Sequence, residues 1–227
     1  MAADIEWVVF DLNGTVLDPS GISAELPEPF DTESVALGLL DEAVQQAMVD
    51  TAVGQYRPFT QYLRAALTRR LLLAGIDTVQ PHVETALDAV GRLRAFPEVP
   101  AALDALRRAG FRVAAITNSV TGSAEATLES AGIGDYFESV VGSDQARAYK
   151  PAAVVYETGL ARIGTEPSRA CMVAAHGWDM HGAKAAGMVT AWVRRKEGML
   201  LDTVNPPDFS GGDVAEVGDH LAGHSSA

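Results

Sequence analysis

Hydrophobic and polar positions alternate in two different ways along this chain. The first regime consists of short apolar runs closed by turn residues. VVFDLNGTVLD (8–18) opens with one, and FRVAAIT (111–117), ESVVGS (138–143), RACMVAA (169–175) and MVTAWV (188–193) supply the others. Runs of this kind read as buried strands. Helical stretches separate them. VPAALDALRRAG (99–110) ends at Gly110, a second runs from about 123 to 132, a third follows Pro151, and MHGAKAAG (180–187) starts a fourth. Alternating strands and helices predict a parallel sheet with helices on both faces.

The second regime lies between the first strand and residue 96. Residues 34–53 carry apolar side chains at three- and four-residue intervals. PFTQYLRAALTRRLLLAG (58–75) reads as a helix that begins at Pro58 and is capped by Gly75, and 81–93 reads as another. FPEVP (96–100) then breaks the pattern. The expected architecture is α/β, a Rossmann-like parallel-sheet core of residues 1–16 and 97–227 with a helical cap, 17–96, inserted after the first strand. The tail from Asn205 is rich in Pro and Gly and predicts one short helix and a frayed end.

Composition narrows the function classes. The formal net charge of -13 argues against nucleic acid or an anionic membrane as partner. No apolar stretch is long enough to span a bilayer, and MAADIEW lacks the basic and apolar regions of a secretory signal. The single cysteine, Cys171, sits in an apolar run and reads as a buried thiol. A cytoplasmic protein is the expectation. Charge is also unevenly placed: between Met1 and Tyr56 there is no Lys, Arg or His, and the first cation is Arg57.

The polar residues gather at strand ends. Asp11 follows the first strand, with Thr15 four residues on. Thr117 and Asn118 end the second, Lys150 precedes Pro151, and Asp179 follows the strand ending near Ala175. In a parallel sheet these C-terminal ends share one edge, so distant residues converge there. A carboxylate on that edge can act as a nucleophile that forms an ester later cleaved by water. Each residue also has a plainer structural role available. Asp11 and Asp179 could cap helices, Thr117 and Asn118 could make a turn, and Lys150 could be a surface lysine.

DxxGT, then TN, then KP, then a late Asp, in that order, resembles the haloacid dehalogenase superfamily over nearly the whole chain. The resemblance implies Asp11 as nucleophile and the N–H groups of Leu12 and Asn13 as oxyanion donors. It implies that Thr15, Thr117 and Asn118 bind the carboxylate or substrate, and that Lys150 keeps Asp11 ionised. Two positions depart from the phosphatases of that superfamily. Asn13 stands where their second Asp transfers a proton, and Ala175 where a metal-binding carboxylate lies. Displacement of halide needs neither a metal nor a leaving-group acid.

The chain is most similar to the 2-haloacid dehalogenase branch. YKPAAVVYE matches its lysine and tyrosine segment at Lys150 and Tyr156. AAHGWD matches its late motif at Trp178 and Asp179, with His176 in an Asn slot. His176 is a candidate base for ester cleavage, since imidazole titrates near neutral pH; a structural histidine is the equal alternative. The branch also implies an early Arg that holds the halide, and the aligned count lands near Leu40. Arg57 substitutes for it only if the cap folds it inward.

The resulting expectation is a hydrolase without a cofactor, acting on a small anionic acid, with a homodimer implied by the family alone. One rival is a Mg2+-dependent phosphatase holding metal through Asp11, Asn13 and Asp179. Another is a non-catalytic protein that kept the fold as a regulator or scaffold.

Overall fold

The computed structural model describes residues 5–28, 30 and 33–225. Its first strand, β1 (Trp7–Phe10), is buried at all four positions. After it the chain makes a short strand β2 (Leu17–Asp18) and a 3₁₀ turn, Pro19–Glu25, capped by Asp18, whose side chain accepts from the Ser20 N–H at 2.9 Å. Three helices follow: α1 (Glu33–Ala52), α2 (Phe59–Leu73) and α3 (Val79–Val90). Strand β3 (Arg94–Ala95) then pairs antiparallel with β2, Leu17 opposite Ala95. The ribbon brings the entry to and exit from the helical segment side by side.

The remaining elements alternate. They are α4 (Val99–Arg108), β4 (Arg112–Ile116), α5 (Thr121–Ser130), β5 (Ser139–Val141), the single turn α6 (Ser143–Ala146), α7 (Ala153–Ile163), β6 (Ala170–Ala174), α8 (Gly177–Ala185), β7 (Val189–Val193), β8 (Phe209–Gly211) and α9 (Val214–Ser225). The six-stranded sheet has the order β5-β4-β1-β6-β7-β8, and all of its pairings are parallel.

Alternating side chains explain the layering. Val8, Phe10, Val113, Ala115, Cys171 and Val173 join the core under α4, α5 and α9, which contribute Leu103, Leu128 and Leu221. Trp7, Val9, Ala114, Ile116, Met172 and Ala174 join the core under α7 and α8, which contribute Tyr156 and Met180. Burial on both faces is why these strands read as unbroken apolar runs. Cys171 is fully buried, and burial, with the nearby charge of Asp208, pushes its thiol well above the ordinary range.

The register fixes where function can sit. Phe10 pairs with Ala115 on one side and Val173 on the other, so the residues just after β1, β4 and β6 emerge level with one another. Strand order reverses direction around β1, and that crevice at the carboxyl ends is where such sheets bind ligands.

Two features differ from the sequence reading. The tail contains a sixth strand, β8, whose short FSG run has no β-branched residue and is held by pairing with β7. Residues 18–33 are not simply a polar connection, since the end of β2 and the 3₁₀ turn lie within them. The helices expected at 34–53, 58–75 and 81–93 fall at 33–52, 59–73 and 79–90. Among the described residues no helix is long and apolar enough to cross a membrane.

Candidate active site

Asp11 leaves β1 with its backbone N–H bonded to the Val173 carbonyl at 3.0 Å, which anchors it against β6. The chain then turns tightly. The N–H groups of Thr15, Val16 and Leu17 all converge on the Leu12 carbonyl, at 3.1, 3.0 and 2.9 Å. Gly14 adopts φ +81°, a conformation that glycine reaches without steric cost. This winding spends the Leu12 carbonyl and leaves the donors nearest the nucleophile free. Among the described residues no hydrogen bond reaches the N–H of Leu12 or of Asn13.

The Asp11 carboxylate is gripped from both oxygens. Thr15 Oγ1 donates to Oδ2 at 2.9 Å and itself accepts from the Ala175 N–H at 3.0 Å, which ties the end of β1 to the end of β6. Lys150 Nζ donates to Oδ1 at 2.8 Å, to Asp179 Oδ2 at 2.5 Å and to the Ile116 carbonyl at 2.9 Å. All three ammonium protons are therefore used. Tyr156 completes the cluster by donating to Asp179 Oδ1 at 2.7 Å.

Electrostatics separate the two carboxylates. Burial alone would raise Asp11, but the charge of Lys150, with smaller help from His176 and Thr15, outweighs it and holds the carboxyl below its ordinary value. Asp179 is fully buried, and desolvation with the nearby Asp11 charge leaves it above its ordinary value despite Lys150. Burial opposes the Lys150 charge, but the two carboxylates more than restore it and raise its pKa. Burial, then the Asp179 charge, pushes Tyr156 well up, so its proton stays in place.

Asn118 bridges the same groups. Its Oδ1 accepts from the Lys150 N–H at 2.9 Å, while its buried Nδ2 has no partner among the described residues. A buried amide donor left unpaired is costly unless a ligand uses it. Thr117 has a structural task, accepting from the Ser119 N–H at 3.2 Å.

His176 sits at the N-terminus of α8. Its Nε2 lies 3.7 Å from Asp11 Oδ2 and 3.1 Å from the Asn13 carbonyl oxygen. The ring stacks on Trp178 with centroids 5.1 Å apart and planes 6° from parallel. Its edge rests on Gly14, where an added Cβ would stand 3.3 Å from Cε1 and Nε2. On the far side Nδ1 is 3.9 Å from Glu197, which accepts from the Gly177 N–H at 3.0 Å. The imidazole is thus fixed beside the nucleophile. Trp178 also faces Lys150, whose Nζ is 5.7 Å from the ring centroid.

These groups open onto a cavity of about 380 Å³. Asp11, Asn13, Gly14, Thr117, Asn118, His176 and Trp178 form its polar side. Leu37, Leu40 and Val44 of α1, with Phe59 and Phe96, form an apolar side. Asp179 and Tyr156 do not line it; they act on it only through Lys150.

Arg57 is not brought to this cavity. Its guanidinium pairs with Asp50 and reaches Gln55 at 3.3 Å, and its side chain is 50% exposed. The buried Asp50 carboxylate is the stronger attraction, since it also holds the Tyr62 hydroxyl at 2.9 Å. The cations that do line the cavity are Arg194, Arg195 and Lys196, just past β7, and sequence reasoning missed them. The signal was present: RRK directly follows an apolar strand, so it emerges on the same sheet edge as Asp11.

The proposed metal ligands Asp11, Asn13 and Asp179 do not fit Mg2+. Lys150 Nζ occupies the bridging position between the two carboxylates, and both Asp179 oxygens are already bonded. Among the described residues no group of three or more His, Cys, Asp or Glu side chains is arranged to hold a metal ion.

Comparison with known proteins agrees with this geometry. A family model described as haloacid dehalogenase-like hydrolase matches residues 5–187. Haloacetate dehalogenase H-2 of Moraxella sp. (strain B) is 29% identical over 208 residues, covering 91% of this chain and 93% of its own. The (S)-2-haloacid dehalogenase of Pseudomonas sp. (strain YL) is 28% identical over 207 residues, covering 90% and 89%. The L-2-haloacid dehalogenase structure from Xanthobacter autotrophicus shares the fold, with TM-score 0.88 over 96% of this chain and 99% of that one, at 22% identity.

Proposed function

The chain belongs to the haloacid dehalogenase-like hydrolases, and on that footing we propose that it removes halide from a small 2-haloacid, with Asp11 as nucleophile. The observation that carries this reading is a carboxylate at the cavity floor, held ionised by a fully buried lysine, with asparagine where a leaving-group acid would stand. Halide departs as an anion and needs no proton, whereas an alkoxide leaving from phosphate does.

In the first step the Asp11 carboxylate attacks the carbon bearing the halogen. A C–O bond forms, the carbon–halogen bond breaks and its electron pair leaves with the halide. Lys150 holds the nucleophile in its charged form. In the second step water adds to the ester carbonyl of Asp11 and gives its proton to His176. The resulting oxyanion draws on the free N–H groups of Leu12 and Asn13. The tetrahedral species then collapses, the departing alkoxide takes the proton from His176 and leaves as the 2-hydroxy acid, and the second water proton passes from the Asp11 carboxyl to solvent, which restores the carboxylate. Asp179 is not placed to activate that water, since both of its oxygens are bonded and it does not face the cavity. Asn118 accepts from the Lys150 N–H and so helps to keep that lysine at the nucleophile.

On this reading residues 17–96 serve as the cap over the core, and a small diffusible acid with a lone buried thiol suits a cytoplasmic enzyme. Turnover in 18O-water tests the mechanism. Because water attacks the ester carbonyl, label should enter Asp11 before it enters product, and Asp11→Asn should release no halide. Activity should survive EDTA. Label appearing in product alone on the first turnover would overturn the covalent route.

A further inference from the structure

The cavity carries more information than its nucleophile. About 380 Å³ is the size of a pocket for a drug-like molecule, far more than a two-carbon haloacid with its handful of heavy atoms requires. Leu37, Leu40 and Val44 recur at three- and four-residue spacing, so they present one face of α1 to the cavity. Phe59 and Phe96 extend that apolar surface. A small polar acid would leave it in contact with trapped water.

The three cations that border this surface are not equivalent. Arg195 is committed to Glu98 at 2.5 Å and to the Thr15 carbonyl at 3.0 Å, and it stacks over Phe96 at 3.5 Å. Lys196 is paired with Asp41 at 2.7 Å. The Arg194 guanidinium has no carboxylate or hydrogen-bond partner among the described residues, although it lines the same cavity. An unpaired guanidinium beside an apolar wall offers a planar fork for a carboxylate.

We propose that the substrate is an acid with an apolar chain or ring, its charge paired with Arg194 and its tail laid along Leu37, Leu40 and Val44. This rests on the dehalogenation reading for its reacting carbon at Asp11.

Binding of unreactive acids tests the proposal apart from the chemistry. Calorimetry with acetate, hexanoate and the neutral hexanamide on the intact protein should show hexanoate binding at least about tenfold tighter than acetate. Arg194→Gln should weaken hexanoate about tenfold and leave hexanamide unchanged, and Arg194→Lys should recover part of the loss. Unchanged hexanamide binding also shows that the pocket is intact in the variant. Acetate binding as tightly as hexanoate, equal losses for acid and amide, or no binding of any acid would each overturn the proposal. Absence of halide release from every 2-haloacid would instead overturn the dehalogenation reading, and the binding profile would be read separately from it.

Discussion

The molecule contains two clusters built from the same parts, and only one of them is poised to react. In each, a cation meets a buried carboxylate that also receives a tyrosine hydroxyl. Lys150, Asp179 and Tyr156 form one, and Arg57, Asp50 and Tyr62 form the other. The Lys150 cluster has a second carboxylate, Asp11, and no solvent to dilute its charges. Its single cation must serve two anions, and the pair splits: Asp11 is pulled below its usual value and Asp179 is left above it. The Arg57 cluster matches one cation to one carboxylate, and its cation is half in water. Excess negative charge, burial and a cavity turn an ion pair into a nucleophile site. A balanced pair at the surface of a helical segment only braces it.

Removing each cation tests that contrast most severely. Lys150→Met leaves two buried carboxylates uncompensated, and urea unfolding should show a loss of about 3–5 kcal/mol. Turnover should fall by at least about a thousandfold, because an unpaired buried carboxylate takes up a proton and stops attacking. A loss of stability with turnover intact would remove Lys150 from the chemistry.

His176→Ala should reduce turnover by about a hundredfold while sparing the first step. Quenched mass spectrometry should then catch Asp11 as the ester, with one halide released per protein. No accumulated ester would assign water activation elsewhere.

The split between the two carboxyls has its own pH signature. The contribution of Asp11 to folding is complete above the unfolded value of about 3.9 and is lost as pH falls through its lower folded value. Asp179 has the opposite sign, because the folded state holds its proton more tightly. Its contribution is present at low pH and is lost as pH rises through the raised value. Urea midpoints of Asp179→Asn between about pH 3 and pH 7 should keep the first slope and lose the second.

The smallest effect belongs to Arg57→Ala. Its half-exposed ion pair should contribute less than about 1 kcal/mol, and halide release should stay within about twofold of the parent. A large loss of activity would bring the two clusters together again and undo the comparison.

Most of the core was legible because fully buried parallel strands leave unbroken apolar runs, as at Trp7–Phe10 and Ala170–Ala174. Asp11 was legible because strand ends in a parallel sheet meet on one edge; Lys150, between α6 and α7, and Asp179, in the first turn of α8, were legible through the order of motifs and its family resemblance. β8 and the β2–β3 ribbon were not, since two or three residues carry no periodicity and exist through their pairing partners. Arg57 was a substrate-holding cation only on condition that the cap fold it inward, and its guanidinium instead pairs with Asp50. The cavity takes its cations from Arg194, Arg195 and Lys196, far along the chain from Asp11 and linked to it only by the shared edge of strand ends. The engagement of Arg57 with Asp50 was equally hidden, because nothing in the pattern of α1 marks Asp50 as buried.

Haloacids are alkylating agents, and thiolates are their preferred victims among protein side chains. The only thiol of this chain lies wholly inside the sheet, and its burial holds it protonated far above neutral pH. On the dehalogenation proposal, the cavity then offers such compounds a carboxylate, Asp11, whose ester water would remove. An adduct on sulfur would be permanent. On the dehalogenation proposal, the position of Cys171 within β6 keeps the thiol of the folded protein out of reach of the compounds it would turn over.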